Sequence, residues 1–176
     1  LERFPDVTTL AGASNAQVVR AWKGLGYNSR ALRLRDAARE IVERFAGGVP
    51  EREEDLRTLP GIGPYASAAI ACFAYGKRTV VLDVNVRRVY SRLLSRQPTT
   101  ADAEEESSIR QFATAVIPRK NARDWHHAVM DLGATVCTAR TVQCPSCPLT
   151  DLCPSSNAMV QARGVSEVEK QLKGQT

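Results

Sequence analysis

LPGIGPYASAAI, residues 59–70, decides how the rest of the chain reads. Gly61 and Gly63 flank Ile62 in a turn that can present consecutive backbone N–H groups. Glycine tolerates positive φ there and lets an anion approach with no Cβ in the way. Pro64 suits the first turn of a helix, whose free N–H groups also favour an anion. Ile62 is expected to plug the turn into the core between the two helices it joins. The physical reading is a grip on a phosphate backbone that ignores base sequence. A glycine-capped helical turn without a ligand is the plainer alternative. Leu59, Gly61, Ile62 and Gly63 are the candidate contact residues.

Working outward from the hairpin, apolar residues recur at helical spacing almost everywhere. Helices are expected over residues 14–24, 30–45, 53–59, 64–75, 85–94, 103–117 and 122–136. The second carries a stripe of Ala31, Leu34, Ala38, Ile41, Val42 and Phe45. Gly47, Gly48 and Pro50 stop it. TVVL, residues 79–82, is an extended or tight connector, and no sustained alternation supports a sheet. The fold class is all-α. A hinge between two lobes is placed at residues 98–102, and the tail from residue 154 onward reads as a surface appendage.

Just downstream of the hairpin, VVLDVNVRRV (80–89) sets Asp83 immediately before a helix. An acidic residue there is most simply a helix N-cap. Coming directly after a DNA-gripping turn, it also suits a catalytic carboxylate. It would stabilise positive charge on a deoxyribose as the N-glycosidic bond breaks, and orient or deprotonate water. Asn85 caps the same helix or orients the nucleotide, with capping favoured.

Of five cysteines, Cys137, Cys144, Cys147 and Cys153 form C-x6-C-x2-C-x5-C, whereas Cys72 stands in an apolar run and reads as core. Four clustered thiolates suit zinc or an iron–sulfur cluster, and general chemistry leaves both open. The local cluster argues against a disulfide framework and for a reducing, intracellular setting. No secretory leader and no membrane-spanning apolar stretch is evident, so a cytoplasmic or nucleoid-associated protein is expected. Lys and Arg number 24 against 19 acidic residues, a net charge of +5 that is compatible with nucleic acid without requiring it. Adjacent His126 and His127 point in different directions on a helix, which argues against a shared metal site.

The run LPGIGPYASAAIACFAYGKRTVVLDVNVRRV (59–89) resembles the helix–hairpin–helix DNA glycosylase superfamily, which includes endonuclease III. The match extends from FPDV (4–7) through the cysteines. GLGYNSRA (24–31), LDVNVRRV and VMDLGATVC (129–137) are similar to the adenine mismatch glycosylases. Tyr65, the AAIACFAYGK run and Asp131 also fit the thymine mismatch group. The resemblance implies that Asp83 is the catalytic aspartate and that the four cysteines hold a [4Fe–4S] cluster in a C-terminal loop. Bifunctional relatives carry a lysine where this chain has Tyr65. A phenol cannot form the imine that strand cleavage needs, so the resemblance implies base removal alone. Lys77 and Lys120 do not match that position.

The expected activity is removal of adenine opposite 8-oxoguanine or guanine, by extruding one nucleotide into the seam between lobes. Removal of thymine or uracil opposite guanine is the alternative, and a noncatalytic lesion-binding module a further one. The expected partner is double-stranded DNA carrying a mismatch or an oxidised base, bound by a monomer. Tyr65, Asn85 and Tyr27 are expected to line the pocket, with Arg30 and Arg140 facing DNA. Adenine enzymes also use an upstream glutamate in a WxSExMLQQT-like segment, which matches nothing here, so a truncated chain is expected. The domains are read as 1–15, the start of a truncated or cluster-associated lobe; 16–98, the helical lobe with the hairpin; 99–153, a second helical lobe with the cluster loop; and 154–176, the tail.

Overall fold

The structure is a computed structural model that describes residues 2–94 and 103–156. Among the described residues every regular element is helical, apart from an isolated antiparallel bridge between Cys137 and Val142. The chain divides into two compact units, one ending at Lys77 and the other beginning at Arg78. This division falls earlier than the 98/99 boundary read from sequence. The cause is the helix after Asp83, whose apolar face packs on the helices that follow it. The expected hinge at residues 98–102, and residues 157–176 of the tail, lie outside the described residues.

The first unit contains α1 (Val7–Gly12), α2 (Asn15–Ala21), α3 (Asn28–Phe45), α4 (Glu53–Leu56) and α5 (Pro64–Phe73). Asp6 caps α1 by accepting from the Thr9 N–H at 2.7 Å. Ser14 and Gln17 form a reciprocal capping box on α2, which satisfies two otherwise orphaned donors. Both short helices pack on α3. Near its start, Ala31 meets Ala13 and Val18, with Phe4, Leu10 and Trp22 alongside. Two to three turns further on, Ala37 and Ile41 meet Leu56, Leu59 and Ala71, and the partly buried Ile62 and Ile70 join them. The hairpin is thus tied to α3 by the leucine that precedes it and the isoleucine at its centre. Leu34, assigned to the buried stripe by its spacing, is instead 47% exposed.

The second unit contains α6 (Val84–Leu93), α7 (Ala103–Val116), α8 (Ala122–Thr135) and two 3₁₀ turns, Cys144–Ser146 and Thr150–Leu152. Residues 79–82 form neither helix nor strand, and Val81 and Leu82 are buried. Helix α6 buries Val86, Val89 and Tyr90. The Tyr90 ring meets Phe112 edge-on at 5.3 Å, and its hydroxyl accepts from Trp125 Nε1 at 3.0 Å. Such a handle is what a buried tyrosine needs. Burial pushes the Tyr90 phenol up, and the Trp125 hydrogen bond opposes it. His126 is buried with Nε2 2.9 Å from the Thr79 carbonyl, whereas His127 is exposed. The two imidazoles therefore diverge as helix geometry requires. Burial holds His126 below the ordinary histidine value of 6.5.

Helices α6 and α8 lie in close approach at Gly133. A Cβ on Gly133 would stand 2.8 Å from Asn85 Cβ, 3.1 Å from Asn85 O and 3.2 Å from its carbonyl carbon. Two of those atoms are backbone and cannot swing away. Overpacking of this kind costs roughly 1–3 kcal/mol. Gly133→Ala is therefore expected to lower the denaturation midpoint by a free energy in that range. A denaturant titration giving the same midpoint for both proteins would contradict the close approach.

Candidate functional site

The hairpin lies wholly in the first unit. Gly61 has φ +78°, a left-handed conformation that side chains rarely adopt. Its missing Cβ is required a second time, because that atom would fall 2.9 Å from Arg33 Cβ. Gly63 differs from the sequence expectation. Its φ is −86°, so it needs no left-handed freedom, and the space where its Cβ would lie is open. It is the N-cap of α5, with Pro64 at the first position. Leu59, another candidate contact residue, has its side chain turned inward. It is buried among Leu56, Ala37 and Ile41, because the chain turns back on α4 there with Leu59 N–H donating to Leu56 O.

Asp83 stands in the second unit as the N-cap of α6. Its Oδ1 accepts from the Val86 N–H at 2.7 Å, while Asn85 Nδ2 lies 3.4 Å from Oδ2. One carboxylate oxygen is therefore committed to the helix, and the other is less engaged. The favoured capping role of Asn85 is corrected: Asp83 makes the cap, and Asn85 sits inside the helix between Asp83 and Arg88. The Arg88 guanidinium donates to Asn85 Oδ1 at 2.8 Å, to Gly133 O and, through Nε, to Cys137 O at 2.9 Å. It thus joins the start of α6 to the end of α8. The sequence reading missed Arg88, because VNVRRV shows only a pair of arginines on an amphipathic helix. The signal was present in its position, three residues after Asn85 on the same face.

Four cysteine side chains, Cys137, Cys144, Cys147 and Cys153, line one recess with Arg92 and Val142. Arg92 donates to Cys137 O at 3.2 Å, to Cys137 Sγ at 3.1 Å and to Thr138 O at 2.8 Å. Burial raises the Cys144 thiol, and Cys153, Cys137 and Cys147 each push it further up, while Arg92 opposes them. The Cys144 sulfur therefore senses the other three. Among the described residues, no three His, Cys, Asp or Glu side chains are arranged ready to hold a metal ion. Cys72 is fully buried in α5, as its apolar surroundings suggested.

The remaining candidates are scattered. Tyr65 is the second residue of α5 and is 49% exposed. Tyr27, expected to line the pocket, makes no buried local packing. It is 82% exposed and precedes α3 with φ +48°, between glycines and the first helical turn. Few non-glycine residues adopt that conformation, and their occurrence marks backbone strain. Arg30 lies with its guanidinium carbon 5.6 Å from the Trp22 ring centroid, while Trp22 Nε1 donates to Gly26 O at 2.8 Å. Arg140 is exposed between the first two cysteines. Among the described residues no helix is long and apolar enough to cross a membrane.

Residues 1–114 match the profile of the HhH-GPD superfamily base excision DNA repair proteins. The chain belongs to this family. It is 41% identical over 185 residues to the adenine DNA glycosylase of Mycobacterium tuberculosis strain H37Rv, an alignment covering 99% of this chain and 60% of that protein. The human adenine DNA glycosylase is 36% identical over 162 residues, covering 92% of this chain and 30% of its own length. The chain thus spans less than two thirds of the first relative and under one third of the second. Among solved structures, a thermostable thymine-DNA glycosylase aligns with a TM-score of 0.79 at 25% identity, over 89% of this chain and 72% of that one. An endonuclease III structure in a non-covalent DNA complex aligns with a TM-score of 0.77 at 22% identity, over 91% and 73%. The all-α HhH-GPD fold expected from the hairpin is therefore the fold found.

Proposed function

We propose that this family member is a monofunctional DNA N-glycosylase that removes adenine opposite 8-oxoguanine or guanine in duplex DNA. The observation that carries the reading is Asp83. Its Oδ1 is held by the Val86 N–H and its less engaged Oδ2 is available to a nucleotide. The identity to adenine DNA glycosylases over nearly the whole chain supports adenine as the base. As the C1′–N bond breaks, the bond's electron pair leaves with the base and positive charge grows on the sugar. The Asp83 carboxylate opposes that charge and orients the water that takes the base's place. The Ile62 N–H is taken up by the Leu59 carbonyl at 3.1 Å, so the hairpin N–H groups on either side of it hold the strand by its phosphates. Tyr65, a phenol where bifunctional relatives carry an amine, supports base removal without strand cleavage.

The thymine mismatch reading, thymine or uracil leaving opposite guanine, keeps one specific support. The thermostable thymine-DNA glycosylase shares the fold at 25% identity. We also propose that Cys137, Cys144, Cys147 and Cys153 hold a [4Fe–4S] cluster. Their convergence on one recess supports this, and soft thiolates suit it. Four cross-linked sulfurs would staple the loop that follows α8. Arg92, already donating to Cys137 Sγ, would partly balance the negative charge.

Asn caps a helix about as well as Asp. Asp83→Asn should therefore fold and bind duplex normally, while single-turnover base release falls by about 10²- to 10⁴-fold. Unchanged excision would reject the assignment. For the cysteines, iron analysis should give about four irons per chain with a visible absorption band. Stoichiometric zinc without iron would reject the cluster.

A further inference from the structure

Helix α3 carries five arginines, and four of them are engaged. Arg35 pairs with Asp36, Arg44 with Glu40 and Thr58, and Arg39 donates to Ala11 O. Arg30 lies over Trp22. The guanidinium of Arg33 has no hydrogen bond or ion pair among the described residues, and the side chain is exposed. Its aliphatic stem is nonetheless placed. Arg33 Cβ, Cδ and Cγ lie 2.9, 3.1 and 3.4 Å from where a Cβ of Gly61 would be, so the stem lies across the hairpin's own glycine.

Beside it is a recess with an apolar floor of Leu34, Ala37, Pro60 and Ile62, walled by Trp22 and Arg30. This explains why Leu34 remains half exposed on a face otherwise devoted to the core. An arginine whose stem is packed and whose head is unpaired has already lost part of the rotamer freedom that an exposed ion pair would cost it. The recess therefore offers a cation at its rim and apolar surface beneath, which matches the phosphate and sugar of a nucleic-acid backbone.

We propose that Arg33 is a phosphate-contacting residue, seated against Gly61, that extends the strand-holding surface from the hairpin turn onto α3. The inference rests on the DNA-binding part of the proposed function. Gly61 then serves two ends, the left-handed turn and the berth for the Arg33 stem. The contact is with charge rather than with a base, so it strengthens binding to every duplex alike.

The test is the salt dependence of the full chain's affinity for a duplex without a lesion, with Arg33→Met and Arg33→Gln compared against Arg33→Lys. Removing one phosphate contact lowers the slope of log K against log salt by about 0.9, or roughly eightfold in affinity at 0.1 M salt if the curves converge near 1 M. Both neutral variants should show that loss with unchanged thermal melting, and Arg33→Lys should keep most of the slope. An unaltered slope in the neutral variants would overturn the role of Arg33 while leaving the hairpin grip standing. A parent chain with no salt-dependent duplex affinity would instead sink the DNA-binding reading, and this inference with it.

Discussion

The second unit depends on how closely α8 can approach the first turn of α6, and Gly133 sets that limit. With no side chain at Gly133, the Asn85 backbone can lie directly against α8. The consequence is chemical as well as steric. Arg88, one turn further along α6, then reaches the Gly133 and Cys137 carbonyls at the end of α8 and holds Asn85 at the same time. A guanidinium satisfies several planar acceptors at once, which a lysine cannot do with the same geometry. Asp83, with one oxygen on the helix and the other near Asn85, stands at the far end of that arrangement.

The first unit solves a similar problem by another route. On the proposed function its hairpin must be exposed to meet a strand, yet a glycine turn has little of its own to hold it still. Leu59 and Ile62 anchor it in the cluster around Ile41 and Leu56, and the Arg33 stem covers Gly61. The turn is thus supported from below by apolar packing and from the side by an aliphatic chain. Gly61, Gly63 and Tyr65 remain exposed. On the proposed function, grip and chemistry are carried by different units. The grip is indifferent to sequence, and the carboxylate acts on a single sugar.

Much of this was legible in the chain itself. Glycine, proline and helical periodicity located the hairpin and α5, and the polar residue before α6 marked Asp83 as a cap. The cysteine spacing marked a shared recess. What escaped depended on packing between elements distant in sequence. Leu59 looks like part of the turn and is core, because α4 ends at Leu56 and folds the chain back. Gly63 looks like a second left-handed glycine and is an ordinary N-cap. The roles of Arg88 and Arg33 follow from Gly133 and Gly61, whose partners lie far along the chain. The boundary between units moved to Lys77/Arg78 because α6 buries its apolar face against α7 and α8, a choice that its own periodicity leaves open.

The most direct test of the account is single-turnover base release by the full-length protein on four duplexes, carrying A opposite 8-oxoguanine, A opposite G, T opposite G and U opposite G. The proposed function predicts release of free adenine from the first two, intact strands bearing abasic sites, and no covalent adduct trapped by borohydride. Release of thymine or uracil with adenine retained would contradict the central claim.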